Sequence, residues 1–311
     1  GKGRLSAALR PVCPNGNALQ AWLARRDAFV KEGGHFRGTG FGANGPLRRT
    51  LSGTFPLSLQ GWRIRMKATI ERAVLLKSLG HVQSVVERRN TIPILSNVLI
   101  EADSTGQLKL MATDLDLQVV ETIAAKVETP GTTTVSAHTL FDIARKLPDG
   151  AEVELTVADG HVNINAGRSS FRLPTLPVED FPAISSNDLP VNFTLTAADL
   201  RDLVDTTRFA ISNEETRYYL NGIYLHKSEE GDLCAVATDG HRLAMTKQPL
   251  PAGANDMPSI IVPRKAVGEL RKLLDDFEGD VSIALSETRA EFSFGAVRLK
   301  TKESRPASWA G

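Results

Sequence analysis

The chain is 311 residues long, 41% of its residues are apolar, and its formal charge is +1. It is long enough for two globular cores, and no apolar run approaches the roughly 18 residues of a membrane span, so a membrane protein is excluded. Two cysteines, Cys13 and Cys234, do not make a disulfide framework, and free thiols indicate a reducing, cytoplasmic compartment.

The first 65 residues differ in charge and composition from the rest. They hold 11 of the 37 Lys and Arg, two of the 36 Asp and Glu and 11 of the 25 glycines, so the remaining chain is acidic. They show no sustained period of two or of 3.6. We predict that residues 1–65 are a non-native or disordered extension and that Met66 is the natural start. The alternative is an Arg-rich targeting peptide or DNA-binding tail, but the glycine content and the lack of an amphipathic helix argue against it.

The patterned part of the chain opens with a strand and a helix. Lys67 to Glu71 alternates like a strand, and an apolar stripe at Leu75, Leu79, Val82 and Val86 predicts a helix. Three extended runs, a short strand, a second helix and three more strands should follow. We place them at residues 94–101, 107–112, 117–127, 133–136 and 137–147 and near residues 153, 162 and 171. The predicted order of strands and helices is βαβββ, and it occurs twice in this half of the chain.

A proline-rich stretch separates this half from a second one. Residues 174–190 carry four prolines. Proline fixes φ and lacks the backbone N–H that a β-strand donates to its neighbour, so we predict a linker between domains. A strand at 192–195 opens the second half, and Thr196 with Asp199 predicts a capped helix start. A later helix at 264–274 should bury one side and expose the other. Its predicted inward residues are Val267, Leu270 and Leu274, and its outward ones are Lys265, Arg271 and Lys272.

One pattern occurs in both halves. Gly106 to Asp114 reads GQLKLMATD and Gly231 to Asp239 reads GDLCAVATD, at an offset of 125 residues. Solenoid repeats have periods of roughly 20 to 50 residues, so this longer period indicates two copies of one domain. We predict an α+β protein with tandem domains at 66–187 and 188–302, each made of two βαβββ units.

One short motif could indicate catalysis. Thr238 to Arg242 reads TDGHR and sets the carboxylate of Asp239 near the imidazole of His241, as a hydrolase would need. A tight turn at Gly240 fits better, because Asp114 occupies the matching place in the first copy with no histidine after it. The sequence contains no nucleophile elbow, phosphate-binding loop, dinucleotide fingerprint or metal-spaced Cys/His cluster. We therefore predict no catalytic residue, no metal and no cofactor, and expect no enzyme.

Basic residues fall mostly on the predicted helices, while the acidic excess must lie elsewhere. A solvated helix face explains any one of them, but helices from two equivalent domains could also present one positive surface to a phosphate backbone. Both interpretations remain open at this point. The residues are Lys77, Arg145, Lys146, Arg201, Arg208, Lys265, Arg271 and Lys272.

Several long motifs stand in collinear order between residue 66 and about residue 302. They include NTIPILSNVLIE at 90–101, TRYYLNGIYL at 216–225, VATDGHRLA at 236–244 and IIVPRKAVGELRKLL at 260–274. In these motifs the chain closely resembles the β sliding clamp of bacterial DNA polymerase III. The resemblance implies the DNA clamp fold, with helices on the inner face and sheets outside, and a non-catalytic processivity factor. In the family, two chains of three domains each form a homodimeric ring around double-stranded DNA and tether the replicative polymerase.

The resemblance also implies three sets of site residues. The DNA-contacting set is Arg89, Arg217, Tyr219 and Lys265. The pocket for clamp-binding peptides is Leu220, Thr238, Gly240, His241, Arg242 and Leu243. Its clients would be the polymerase III alpha subunit and the clamp loader, with repair polymerases and ligase-type proteins as further partners. The subunit-interface set is Ile143, Arg168, Phe171 and Leu173. His138 and Thr139 stand where the family can carry basic residues.

After Lys302 the resemblance stops. The family would continue into a third domain, whereas this chain ends TKESRPASWAG. We therefore expect an aberrant tail at 303–311 and a truncated form that cannot close the usual ring. The rival hypothesis is a protein-interaction module that binds clamp-motif peptides without encircling DNA.

Overall fold

A computed structural model describes residues 65–302, with the exception of residues 183, 185–188 and 215. The predictions for the N-terminal extension before residue 65, for the tail at 303–311 and for part of the linker lie outside the described residues. Across the residues that are described, no helix has the length and apolar character needed to cross a membrane.

The described chain consists of two copies of one pattern of strands and helices. The first copy contains β1 Met66–Glu71, α1 Arg72–Gln83, β2 Asn97–Ala102, β3 Gln107–Thr113, β4 Leu117–Ala124, β5 Lys126–Thr129, β6 Gly131–Ser136, α2 Ala137–Lys146, β7 Glu152–Ala158, β8 His161–Ala166 and β9 Ser169–Pro174. The second contains β10 Val191–Thr196, α3 Ala197–Thr207, β11 Gly222–Lys227, β12 Asp232–Thr238, β13 Leu243–Pro249, β14 Ile260–Pro263, α4 Arg264–Asp275, β15 Asp280–Leu285, β16 Arg289–Phe294 and β17 Val297–Lys302. The predicted order, βαβββ twice in each copy, is confirmed, and β5 is an addition in the first copy.

Two predicted strands of the first copy have wrong bounds. The run at 94–101 begins as a 3₁₀-helix, Pro93–Ser96, and becomes a strand only at Asn97, since Pro93 fixes a helical φ at its first position. The run at 117–127 is two strands, because β4 pairs with β3 whereas β5 pairs with β1 in another sheet. Alternation along the chain cannot show that a strand passes from one sheet to the next.

The helices bury the apolar stripes that the sequence predicts. On α1, Leu75, Leu79 and Val82 are buried. The start of α3 is capped as expected, because the Thr196 hydroxyl accepts from the Asp199 amide at 3.1 Å and donates to the Asp199 carboxylate at 2.7 Å. On α4 the three predicted inward residues are all buried. Apolar spacing was therefore sufficient to orient these helices.

Three antiparallel sheets hold the strands, and their orders show the duplication. The five-stranded sheet has the order β5-β1-β7-β8-β9 and the four-stranded sheet β13-β12-β11-β14. The eight-stranded sheet has the order β10-β15-β16-β17-β4-β3-β2-β6. The order β1-β7-β8-β9 thus returns as β10-β15-β16-β17, and β4-β3-β2-β6 returns as β13-β12-β11-β14.

The eight-stranded sheet joins the two copies. β17 of the second copy pairs antiparallel with β4 of the first, with Leu299 opposite Val119 and both side chains buried. Glu121, opposite Val297 in the same register, accepts from the Ser78 hydroxyl of α1. The hydroxyl of Ser84, the residue that directly follows α1, donates to the Glu269 carboxylate of α4. Cross-strand neighbours share a face of a sheet, so α1 and α4, one helix from each copy, lie on the same side of it.

The beginning of the predicted linker packs on the opposite face of that sheet. Phe181 is buried against Met111 and Val120, and Leu176 packs beside them. The Thr134 hydroxyl fixes this segment, since it accepts from the Leu176 amide at 3.0 Å and donates to the Leu176 carbonyl at 2.8 Å. This part of the connection is therefore held by the first copy.

A partly buried histidine lies where α1 meets the second copy. The His81 ring is 2.9 Å from the Glu121 carboxylate, which also accepts from the Ser78 hydroxyl, and 3.6 Å from the Asp276 carboxylate beyond α4. The hydrogen bond to Glu121 raises the pKa of His81, with Asp276 acting in the same sense and burial and Lys77 against it. Protonated His81 therefore bridges carboxylates of both copies.

The His81 bridge should make stability depend on pH. Because the pKa of His81 is raised in the folded state, its contribution is fully present below about pH 6.5, the ordinary histidine pKa, and is lost as the pH rises through the raised value. His81→Gln should remove this pH-dependent component of the free energy of unfolding, because the amide cannot take up the proton that pairs with Glu121. Urea unfolding of both proteins between about pH 5.5 and 8.5 measures the difference. His161→Gln, at a half-buried histidine on β8 outside this bridge, is the control. Identical slopes of stability against pH in wild type and His81→Gln would contradict the bridge.

Candidate nucleic-acid and peptide surfaces

The TDGHR segment forms a tight turn between β12 and β13. One oxygen of the Asp239 carboxylate accepts from the amides of His241 and Arg242, each at 3.0 Å, and the other accepts from the Arg242 guanidinium at 2.9 Å. The Thr238 hydroxyl closes the turn onto the Arg242 carbonyl at 2.7 Å. The two amides, and then Arg242, lower the pKa of Asp239 to about 2. This carboxylate is therefore a fixed acceptor of the turn, whereas a general base must be free to take up a proton.

The same turn exists in the first copy. The Asp114 carboxylate accepts from the amides of Asp116 and Leu117 at 3.1 and 2.7 Å. Leu115 has a φ of 86°, and Gly240 at the same place in the second copy has a φ of 90°. Both turns need a left-handed residue, and glycine adopts that conformation with less strain than leucine. The turn interpretation is thus supported in both copies, and nothing in its geometry favours a hydrolase.

An exposed apolar surface lies beside the second turn. Leu243 and Met245 on β13 are 65% and 53% exposed, and alternate residues of a strand share a face. Phe209, after α3, is 56% exposed and has the Arg242 guanidinium 5.6 Å from its ring centroid. Phe209 and Met245 were not among the residues predicted from the sequence. Such apolar clusters on a surface commonly mark binding sites.

A row of side chains extends this surface across the second copy. Tyr224 on β11 lies opposite Val236 on β12, which lies opposite Met245 on β13. In the first copy the equivalent row is covered by Leu176 and Phe181. Tyr224 is 39% exposed, so the second row is open among the described residues.

Leu220 and Arg217 connect the predicted pocket to the predicted DNA contacts. The Leu220 amide donates to the Arg217 carbonyl at 2.8 Å, within a loop that the Arg264 side chain holds through carbonyls at 211 and 212. A Cβ built on Gly240 would lie 3.5 Å from the Arg217 guanidinium. Tyr219 stacks edge to face on Tyr218, with the ring centroids 5.7 Å apart. The pocket turn and the Arg217 loop therefore form one continuous surface.

Lys265 links this region to the first copy. Its ammonium group lies 3.1 Å from the Glu87 carboxylate and also pairs with Asp114. Exposed Arg89 is two residues beyond Glu87. The structure therefore brings the Arg89 loop to the first turn of α4, next to the residue, Arg264, that holds the Arg217 loop. The four predicted DNA contacts occupy neighbouring segments around the junction of the two copies.

Comparison with known proteins decides the family. Residues 66–185 match the sequence profile of the DNA polymerase III beta subunit, N-terminal domain, and residues 194–303 match that of its central domain. The chain belongs to the DNA polymerase III beta subunit family. The resemblance seen in the sequence motifs and the expected clamp fold are thereby confirmed.

Relatives and solved structures agree with this assignment. The chain is 52% identical over 242 residues to a beta sliding clamp of Caulobacter vibrioides, covering 76% of this chain and 65% of that protein. For the beta sliding clamp of Escherichia coli the identity is 39% over 233 residues, covering 74% and 62%. A sliding clamp from Bartonella birtlesii bound to griselimycin has a TM-score of 0.75 at 51% identity, covering 76% of this chain and 64% of that one. The Caulobacter crescentus pol III beta structure gives a TM-score of 0.76 at 51% identity, covering 78% and 67%. The chain therefore spans about 65% of the length of the first of these relatives.

The basic residues on the helices are largely paired with acidic residues of the same chain. Arg271 contacts Asp205 at 2.8 Å, and Lys272 contacts Glu269 at 2.8 Å. Similar pairs hold Arg145 and Arg208 to carboxylates three residues earlier. Among the described residues Lys77, Arg89 and Lys146 form no ion pair. The surface of the clamp helices is thus less positive than the count of basic residues suggests.

His138 and Thr139 are used inside the first clamp domain. The His138 ring lies 3.0 Å from the Gln83 side chain and 3.0 Å from the Val86 carbonyl, which ties α2 to the end of α1. The Thr139 hydroxyl lies 2.9 Å from that of Ser136. Both residues therefore have structural contacts within the first copy.

The four predicted interface residues lie at or near the outer edge of the first clamp domain. Phe171 on β9 is 38% exposed, Leu173 is partly buried, and Arg168 lies in the turn before β9. Ile143 on α2 is buried. The structure thus presents an edge strand that carries an exposed aromatic side chain.

Proposed function

We propose that this chain serves in a sliding clamp, a non-catalytic processivity factor that surrounds duplex DNA and tethers a replicative polymerase. The observation that carries the proposal is the eight-stranded sheet shared by both copies, with α1 and α4 side by side on one face. This arrangement gives a strand-built wall with helices on one side. A relative named beta sliding clamp, 52% identical over 242 residues, supports the same function.

The residues proposed to contact DNA are Arg89, Arg217, Tyr219 and Lys265. Arg217 is paired with Glu214 at 2.9 Å, and Lys265 with two carboxylates, so any contact with phosphate would have to compete with internal ion pairs. Weak contacts to phosphates position a duplex without reading its sequence. That is the behaviour a protein needs if it moves along DNA and is retained by its shape.

The proposed binding site for client peptides is formed by the turn at Thr238 and the apolar surface beside it. Leu220, Gly240, His241, Arg242 and Leu243 complete the predicted pocket. Exposed Leu243 and Met245 offer apolar contacts to alternate side chains of an extended peptide. The proposed clients are the polymerase III alpha subunit and the clamp loader, with repair polymerases and ligase-type proteins as further ones.

A DNA titration tests the nucleic-acid half of this proposal. The variant with Arg89, Arg217 and Lys265 all changed to alanine should lower the slope of log affinity against log salt by about 2 to 3, since each phosphate contact contributes about 0.9. Fluorescence anisotropy with a labelled duplex measures it. A second variant, with the strand lysines Lys109, Lys126 and Lys247 changed to alanine, is the control. Equal losses in both variants would contradict the proposed surface.

The pairing of the helix cations favours one alternative, a module that binds client peptides without holding DNA. The same titration separates the two functions. If the unmodified chain binds no duplex even at low salt yet still binds a client peptide, the module is the better description.

A further inference from the structure

Two carboxylates of the first copy hold one lysine of the second copy. Lys265 lies in the first turn of α4, and its side chain is 39% exposed. Its ammonium group donates to the Glu87 carboxylate at 3.1 Å, in the loop after α1, and also pairs with Asp114 in the turn between β3 and β4. Glu87 is 60% exposed, whereas Asp114 is only 12% exposed. The lysine therefore has an inner partner that is shielded from solvent and an outer partner that solvent reaches.

The two carboxylate oxygens of Asp114 have different roles. Oδ1 accepts from two backbone amides of its own turn, whereas Oδ2 is the oxygen that pairs with Lys265. The equivalent Asp239 divides its oxygens in the same way, with Oδ1 on two amides and Oδ2 on the Arg242 guanidinium. The turn thus needs one oxygen and leaves the other for a cation. In the first copy, that cation is supplied by the second copy.

The place of Lys265 in its helix does not favour a cation. The N-terminus of a helix carries a partial positive charge, and the first turn of α4 contains no acidic residue. Glu87 and Asp114 supply the missing negative charge from the first copy. Burial lowers the pKa of Lys265, but the pairs with Asp114 and Glu87 together outweigh it and raise the pKa above its ordinary value. Lys265 is therefore held as a charged group by residues outside its own domain.

We propose that Glu87 and Asp114 are positioning residues for the DNA contact of Lys265: they fix its ammonium group at the junction of the two copies and weaken its attraction for phosphate. Because Lys265 contacts DNA only in the proposed function, this role rests on that function. A phosphate that approaches Lys265 has to replace Glu87, the more exposed partner, while Asp114 keeps its pair. The contact then stays weak, which suits a protein that moves along a duplex.

The exchange of Glu87 for a phosphate should be visible in the salt dependence of DNA binding. Each phosphate that a protein neutralises releases cations condensed on the DNA. A displaced Glu87 carboxylate attracts cations from solution in return, so the pair lowers the net release. Without Glu87, both the affinity for a duplex and its dependence on salt should increase. The expected gain is about 2- to 5-fold, the range for one exposed ion pair, and the slope should steepen by up to about 0.9.

Amide variants of the two carboxylates test this role in the full chain, by fluorescence anisotropy with a labelled duplex over a range of salt. Glu87→Gln should bind more tightly by the stated factor. Asp114→Asn keeps the oxygen that the turn needs and replaces only the one that pairs with Lys265, so it should act in the same direction. The matched control is Glu101→Gln, which breaks a similarly exposed pair with Lys109 at 3.3 Å on β2 and β3 and should change neither affinity nor slope.

Two further measurements show whether the gain passes through Lys265. In a double-mutant cycle with Lys265→Ala, neither Glu87→Gln nor Asp114→Asn should strengthen DNA binding. An equal gain in both backgrounds would show that loss of any negative charge is sufficient, and the role would be refuted. Without DNA, acetylation of Lys265 followed by mass spectrometry should be faster in both amide variants, because the released amine has a lower pKa. An unchanged rate would also refute the role.

The single variant Lys265→Ala separates a failure of this role from a failure of the proposed function. If Lys265→Ala weakens duplex binding but neither amide variant strengthens it, Lys265 contacts DNA without restraint and only the positioning role is wrong. If Lys265→Ala leaves both affinity and slope unchanged, Lys265 is not a DNA contact, and the positioning role falls together with that part of the proposed function.

Discussion

Leu299→Ala should lower the free energy of unfolding by about 2 to 5 kcal/mol, the range for truncating a fully buried leucine. Leu299 lies on β17 opposite Val119 of β4 and Phe292 of β16, and all three side chains are no more than 1% exposed. Truncation would leave a cavity in the core that joins the two copies. Urea unfolding followed by circular dichroism measures the change.

The control for this variant is Leu243→Ala, at a leucine that is 65% exposed, which should change stability by less than about 0.5 kcal/mol. Limited proteolysis adds a local readout, because a loosened β17–β4 junction should increase cleavage between the copies. A loss below about 1 kcal/mol for Leu299→Ala, with no change in cleavage, would show that the two copies do not share a packed core.

Leu243→Asp should reduce the affinity for a client peptide by about 10- to 100-fold, the equivalent of losing one apolar contact of about 1.5 to 3 kcal/mol. Leu243 is exposed and follows the turn that Asp239 and Thr238 fix, so the substitution should leave the fold intact. The probe is a synthetic peptide with the clamp-binding segment of a polymerase III alpha subunit, titrated by isothermal calorimetry.

Two comparisons complete the peptide experiment. Lys247 lies on the same strand as Leu243, and the Lys247→Ala variant should bind the peptide with the affinity of the unmodified chain. Repeating the titration with duplex DNA present shows whether the two ligands are coupled. Unchanged affinity for Leu243→Asp would place the peptide site elsewhere, and binding indifferent to DNA would favour the interaction module.

The sequence predicted the duplication and the helices well, because both depend on local regularities. The Gly106 and Gly231 motifs lie on β3 and β12, which hold the same place in their sheets. The Thr196 cap and the buried stripes of α1 and α4 follow from spacing alone. The failures at 94–101 and 117–127 occur where a proline or a change of sheet interrupts an otherwise alternating run.

The joining of the two copies could not be predicted in this way. β4 and β17 are about 180 residues apart, and pairing between such distant segments leaves no periodic signal in either strand. The same applies to Lys265, whose partners Glu87 and Asp114 belong to the other copy. Counting basic residues therefore overestimated the free positive charge of the helices.

Only part of the candidate peptide surface was indicated by the sequence. The family motif located the TDGHR turn, and the matching Asp114 in the first copy correctly indicated that the carboxylate belongs to the turn. Phe209 and Met245 were missed because single exposed apolar residues carry no pattern, and only the fold places them beside Arg242 and Leu243.

Duplex DNA should meet the helix side of the shared sheet. This is measured by photo-cross-linking of the full chain to a duplex with photoreactive phosphates, followed by mass spectrometry. We expect adducts on α1 to α4 and on the segments that carry Arg89 and Arg217. Adducts concentrated on the opposite face, at Tyr224, Met245 or Phe181, would contradict it.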